Sequence, residues 1–253
     1  MSENSHQKLV QAQFNPQATA YLNSAVHAKG NDLLLLKQQI DNNLQAHVLD
    51  MGCGGGHVSF TLASQVKQVC AYDISQSMLD VVAKEAAHRG LTNIEVCQGD
   101  VASLPFAQDS FDFVVTRYSA HHWPHWERAL SEIRRVLKPT GKAIIIDVIS
   151  CDNPLLDSFL QTIEMIRDPS HVRDFSLSQW AAGLSKHGLQ IESCQQFGLF
   201  LEYQAWIARM QPPSEHVATI RSLTALAAEQ VRRYYGIDAD GSFTLQSAFI
   251  VAH

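Results

Sequence analysis

The sequence predicts a doubly wound α/β fold, a largely parallel sheet with helices on both faces. Three observations predict it. Short apolar runs recur at 47–51, 68–72, 94–97, 111–116 and 143–149. Helical or turn-forming stretches alternate with them. The first run ends in a glycine cluster that opens a helix. Strands alternating with helices make βαβ units, and such units build a parallel sheet covered on both sides. Ligands of open sheets of this kind sit beyond the carboxyl ends of the strands. The residues just after each strand are therefore the ones to inspect.

The elements follow in order. Helices are expected at 18–27 and 33–43. After the first strand, 58–65 reads as a helix. After the second, Ser75 caps a helix to His88 that Gly90 closes. The third strand ends at Gly99 and Asp100, and Val114 and Val115 favour extended backbone in the fourth. Residues 126–137 carry Leu130, Ile133 and Leu137 at helical spacing. Pro139, Thr140 and Gly141 make a turn before the apolar fifth strand. Beyond Ser150 the pattern changes: 153–166 and 178–187 are helical, 189–194 is a strand, 212–236 is helical, and 242–252 alternates as a last strand. The expected organisation is an N-terminal helical cover at 1–45 and a core domain at 46–253. Helical insertions fall at about 151–187 and 198–240, all in one compact unit.

Bulk properties narrow the function. With 253 residues and 46% hydrophobic content, the chain can bury a sizeable core. A net charge of -6 offers no electrostatic footprint for nucleic acid, and no such partner is expected. The first eight residues hold no apolar stretch, so no secretory signal is expected. Apolar segments are too short to span a bilayer. The five cysteines, Cys53, Cys70, Cys97, Cys151 and Cys194, form no close pair. They read as thiols of a reducing compartment, and a cytoplasmic location is expected.

The residues that carry chemistry lie where the fold predicts. Asp50, Gly52, Cys53, Gly54 and Gly56 stand between a strand and a helix. Glycines there let the backbone turn sharply and approach a ligand. Asp73 ends the second strand at about the 20-residue spacing of a carboxylate that accepts from ribose hydroxyls. Asp100 can accept from an adenine amino group, and the Val101 amide can donate to a ring nitrogen. A glycine turn alone is shared by nicotinamide, flavin and adenosylmethionine enzymes.

The ordered set decides among them. Asp50 to Gly56 is followed by Ala71-Tyr72-Asp73-Ile74-Ser75 with Met78 and Leu79. Then come Gly99-Asp100, Leu104-Pro105-Phe106, Ser110-Phe111-Asp112 and Arg135-Val136-Leu137-Lys138-Pro139. Over roughly residues 46–150 the chain resembles the class I methyltransferases of the ubiquinone/menaquinone C-methyltransferase-like group. The resemblance implies a Rossmann-like, seven-stranded, mostly parallel sheet with the last strand antiparallel. It implies S-adenosyl-L-methionine as cofactor and a small-molecule acceptor methylated on carbon or oxygen. It places Gly52, Gly54 and Gly56 along the methionine part, Asp73 on the ribose, Asp100 and Val101 on the adenine, and Ile74 and Met78 beside the adenosine. The stretch from Arg167 to Arg173, with Trp180, and Tyr21, Ser24 and His27 near the amino terminus resemble a small-molecule subset of that group. Thr140 stands where the family often has a glycine.

Arg117 follows the fourth strand and is expected at the site, facing the switch point, and the resemblance implies that Thr116 to Ser119 contact the cofactor's methionine end or the acceptor. Where amine-directed relatives carry an Asn/Asp-Pro-Pro-Tyr motif, this chain has Thr116-Arg117-Tyr118-Ser119. One of His121 or His122 is the expected general base, with packing or capping of the following helix as the alternative role for each. No metal is expected: His121, His122 and His125 are interrupted by Trp123 and Pro124, with only Glu127 nearby. Phe14, Tyr21, Trp123 and Trp206 are potential aromatic walls, Trp206 being expected to serve in packing. His171 and Arg173 are potential anchors for an anionic acceptor. Two rivals are a NAD-dependent oxidoreductase and a non-catalytic cofactor-binding module.

Overall fold

Seven strands form a single sheet in the computed structural model, which describes residues 4–18, 22, 30–41 and 43–253. They are β1 (His47–Met51), β2 (Gln68–Asp73), β3 (Ile94–Gln98), β4 (Phe111–Arg117), β5 (Leu137–Ile149), β6 (Ile191–Leu201) and β7 (Phe243–Ala252). Their order is β3-β2-β1-β4-β5-β7-β6. Neighbours from β3 to β5 pair in parallel, and β7 runs antiparallel to both β5 and β6. The chain builds outward from β1 and then returns to its other side with β4. A crevice therefore opens between the carboxyl ends of β1 and β4.

The described helices are α1 (Asn4–Phe14), α2 (Asn31–Ile40), α3 (His57–Leu62), α4 (Gln76–His88), α5 (Trp126–Val136), α6 (Pro154–Arg167), α7 (Leu177–Lys186), α8 (Tyr203–Met210), α9 (Ser214–Ala225) and α10 (Glu229–Tyr235). Adjacent strand residues point to opposite faces, so each central strand feeds two cores. Leu49, Met51 and Ile145 pack with Leu130 and Ile133 of α5 and Leu184 of α7. Val48, Val115 and Ile146 pack with Leu36 of α2 and Leu62 of α3 on the other face. Each such fully buried aliphatic side chain contributes roughly 1.5–3 kcal/mol. A third core, around Leu160, Trp206, Ile220 and Tyr235, holds α6 and α8 to α10 together over the ends of β5 to β7.

Several recurring motifs serve this frame. The Arg135 guanidinium donates to the Leu104 and Phe106 carbonyls at 3.0 and 2.7 Å, pinning the loop after β3. Lys138 reaches Asp112 at 2.8 Å. Ser75 caps α4 by accepting from the Met78 amide at 3.1 Å.

Three expectations shift. β5 starts at Leu137, and the turn expected at Pro139-Thr140-Gly141 is absorbed into it as an irregularity between Phe111 and Phe113 of β4. β6 continues to Leu201, so the second excursion begins after it rather than at 198. β6 is an exposed edge strand, and Gln195 and Gln196 there break the apolar signal. The long helix of 212–236 is α9 and α10, with Leu226 between them. The helix expected at 18–27 falls almost wholly outside the described residues.

Candidate active site

The glycine turn forms the floor of the crevice. Gly52 and Gly54 take φ of +74 and +49, conformations that suit glycine. The amides of Gly52 and Cys53 donate to the Tyr72 carbonyl at 2.8 and 3.0 Å. The Gly54 amide donates to Asp73 Oδ2 at 2.9 Å, and Asp73 Oδ1 accepts from the Ser75 amide. The turn and the carboxylate thus hold one another in place. A Cβ on Gly52 would lie 2.0 Å from Ser119 Oγ, whereas one on Gly54 would meet no atom and project into open space. The backbone at Gly54 therefore lies open to the space above it.

Asp50 is buried beneath this turn and accepts from Ser59 N and Oγ at 3.0 and 2.6 Å. Burial outweighs those bonds and lifts its carboxyl to about 7. Burial likewise raises Asp73. Asp100 Oδ1 accepts from the Ala102 amide at 2.9 Å.

A cleft of about 1130 Å³, open mouth included, runs over this floor. Of the residues singled out in the sequence, Asp50, Gly52, Cys53, Gly54 and Asp73 line it. So do Ile74, Met78, Asp100, Val101, Arg117 and His122. Gly56 does not. It turns the chain at φ +81 into α3, and its Cα packs so closely that a Cβ would meet Phe60 and Val82 at 2.9 Å. Tyr21 lies outside the described residues, as does His27. Trp123 lines the cleft and donates to Ser119 Oγ at 3.1 Å.

The roof is α1, which sequence reasoning did not see as a helix. Gln7 donates to Asp100 Oδ2 at 2.7 Å, Gln11 to the Ile74 carbonyl at 2.9 Å, and His6 to the His122 carbonyl at 3.1 Å. Phe14 meets the His122 ring edge-on at 5.0 Å. Its polar residues face partners on the rim, so no apolar periodicity marks it.

Arg117 ends β4 with its side chain almost sealed from solvent, paired with Asp32 of α2 and stacked on Tyr118 at 4.9 Å. Tyr118 takes φ +51, an unusual conformation for an aromatic residue and one that clusters at functional sites.

A second cavity of about 710 Å³ adjoins the first, sharing Phe14, Tyr118 and His122 with it. Val148, Leu199, Leu201, Trp206 and Leu245 form an apolar side, and His121, Glu164, Arg167, Asp168, His171 and Asp174 a polar one. Trp206 is both a core residue and a wall. The turn at His121 and the loop at 168–174 are tied together: Val172 and Arg173 amides donate to the His121 carbonyl at 2.8 and 3.1 Å. His121 Nδ1 donates to Asp147 Oδ1 at 2.7 Å. Burial lowers the basicity of His121, but the charge and hydrogen bond of Asp147 prevail and lift it to about 9. His122 Nδ1 donates to the Ser170 carbonyl at 3.1 Å. Burial and the neighbouring His121 push His122 down to about 3. His171 sits in this wall, while Arg173 pairs with Asp157 at 2.7 Å in a half-exposed bridge. Asp147 escaped sequence reasoning because it stands inside an apolar strand. Arg167 and Asp168 belong to the stretch whose resemblance the sequence marked, whereas Glu164 and Asp174 escaped because no local spacing ties them to His121.

The comparisons fit this geometry. Residues 49–145 match the methyltransferase domain model. The chain is 42% identical to the uncharacterized protein YafE of Escherichia coli over 80% of its own length and 98% of that protein's. It is 34% identical to the uncharacterized methyltransferase YcgJ of Bacillus subtilis over 87% of each chain. The chain belongs to the class I S-adenosylmethionine-dependent methyltransferases. This methyltransferase superposes on the crystal structure of YcgJ from Bacillus subtilis with a TM-score of 0.84 and 32% identity, covering 88% of this chain and 97% of that one. It is 30% identical to the demethylmenaquinone methyltransferase of Lactococcus lactis over 63% of the chain and 65% of the relative. Neither rival reading, oxidoreductase or non-catalytic module, gains support. No helix among the described residues is long and apolar enough to cross a membrane.

Proposed function

We propose that the cleft binds S-adenosyl-L-methionine and that the second cavity seats a small acceptor for methylation on carbon or oxygen. One observation carries the reading. A glycine cradle braced by Asp73 opens, past Tyr118 and His122, into a separate cavity of mixed polarity. The bound cofactor would supply an activated methyl group on a sulfonium. Asp73 accepts from the ribose hydroxyls, and Asp100 and Val101 meet the adenine. Ile74 and Met78 pack on the adenosine, and Gly52 and Gly54 admit the methionine part. Asp50 adds a buried carboxyl beneath it, and Cys53 closes the turn.

The chain's own contribution to the transfer is alignment and exclusion of water. α1 roofs the cleft, and Arg117 fixes the end of β4 from which Tyr118 and Ser119 face it. A carbon or hydroxyl acceptor gives up a proton as it is methylated. We assign its acceptance to His122, which is neutral, while His121, protonated beside Asp147, positions it. Because Nδ1 of His122 is engaged by the Ser170 carbonyl, Nε2 holds the lone pair that accepts from the acceptor. The demethylmenaquinone methyltransferase relative supports a quinone-type small molecule as one acceptor class. The unbridged cysteines support action in the cytoplasm.

Titration calorimetry with adenosylmethionine, adenosylhomocysteine and NAD tests the reading. Saturable binding of the first two and none of the third is expected. Binding of NAD alone would overturn it.

A further inference from the structure

We propose that His121, Asp147 and Asp174 form a divalent cation site at the wall of the second cavity. A ring nitrogen of His121 and one carboxylate oxygen from each aspartate lie within 4.8 Å of one another. The three come from the turn after β4, from β5 and from the loop before α7, so only the fold brings them together. Both aspartates are 2% exposed.

Asp174 makes the cluster more than a group of acids. Its Oδ2 is sealed from solvent and has no hydrogen-bond partner among the described residues. His171 Nε2 stands 3.9 Å away and donates instead to Gln161 Oε1 at 3.0 Å. A buried carboxylate oxygen left without a donor is costly, and burial of carboxylates is sustained by pairing or by metal coordination. The buried guanidinium of Arg167 is committed to Glu164 at 2.8 Å. His121 Nδ1 and Asp147 Oδ1 lie 2.7 Å apart across a hydrogen bond, and an ion bound between them displaces that proton.

The donor set is one imidazole and two carboxylates, which suits zinc, manganese or ferrous iron rather than a soft ion. Three protein ligands leave further coordination positions open, the arrangement of a site that takes an exogenous ligand. His121 and Asp174 both line the second cavity, so the open positions are available to oxygens of a molecule held there. This use of the ion rests on the reading of that cavity as the acceptor's seat; its presence does not. The sequence expectation of no metal weighed only His121, His122 and His125, and two of those three are outside the cluster.

The test uses the untagged full chain, stripped with a chelator and titrated with Co²⁺, with Zn²⁺ as competitor. One equivalent of Co²⁺ is expected to bind, with a d–d absorption band that Zn²⁺ abolishes. Asp174→Asn and His121→Gln are each expected to weaken binding tenfold or more while leaving adenosylmethionine affinity within about twofold. Absence of saturable Co²⁺ binding by the wild-type chain would overturn the site. So would wild-type affinity in Asp174→Asn, with His121→Gln as the second variant should that one fail to fold. Calorimetry with adenosylmethionine runs on the same protein, so a chain that binds the cofactor but no ion, or the ion but no cofactor, tells the two readings apart.

Discussion

Single carboxylates do different work in this site according to what surrounds them. Asp73 joins the glycine turn to the start of α4 through two backbone amides and faces the cleft. Asp73→Ala is expected to weaken adenosylmethionine binding at least tenfold in calorimetry, with a stability loss of about 1–3 kcal/mol from the two orphaned amides. Unchanged affinity in a folded variant would remove Asp73 from the ribose. Asp50 is different, because burial raises it from 3.8 to about 7. A carboxyl raised in the folded state binds its proton more tightly there than in the unfolded chain. Its stabilisation is full below about pH 4 and is lost as pH climbs to about 7, up to about 4 kcal/mol across that window. The stability of wild type relative to Asp50→Asn should therefore improve as pH falls from 8 to 5 in denaturant titrations. A difference that stays constant with pH would refute the assignment.

At the scale of elements, the site depends on how strand ends are held. β4 ends in Arg117, whose buried pairing with Asp32 fastens it to α2. Arg117→Ala would leave Asp32 buried and unpaired, which costs about 3–5 kcal/mol. We expect the variant to lose turnover and also to melt several degrees lower. Replacing Asp32 with Asn in the same chain should recover much of the stability but not the turnover. A variant that melts like wild type would show the pair to be dispensable. This pairing was not legible in the sequence, where Arg117 read only as a residue facing the site. Its partner is an ordinary helix residue 85 positions away. By contrast, β1, its glycine turn and the capped α4 were legible, because strand, turn and cap signals are local. β6 was cut short in the reading because an exposed edge strand needs no apolar run.

At the scale of the molecule, α1 is energetically separate from the sheet. No residue of α1 belongs to the hydrophobic cores, while its side chains reach Asp100, Ile74 and His122 across the cleft. Deleting residues 1–14 should leave the melting temperature within a few degrees of wild type and weaken cofactor affinity about tenfold or more. A truncated chain that binds the cofactor as tightly as the full one would show that the roof takes no part in binding.

The sequence by itself determined the doubly wound sheet, the crevice at its switch point and most of the cleft's floor. These follow from signals a few residues long: an apolar run, a glycine that must take positive φ, an aspartate directly after a strand. Only the tertiary structure decided what closes the cleft and what lies beyond it. The polar helix α1 docks by side-chain hydrogen bonds rather than by an apolar stripe. The group of His121, Asp147 and Asp174 is drawn from a turn, a strand and a loop that touch because the excursion after β5 folds back over the strand ends. Such contacts are set by packing between distant segments, and no spacing along the chain records them.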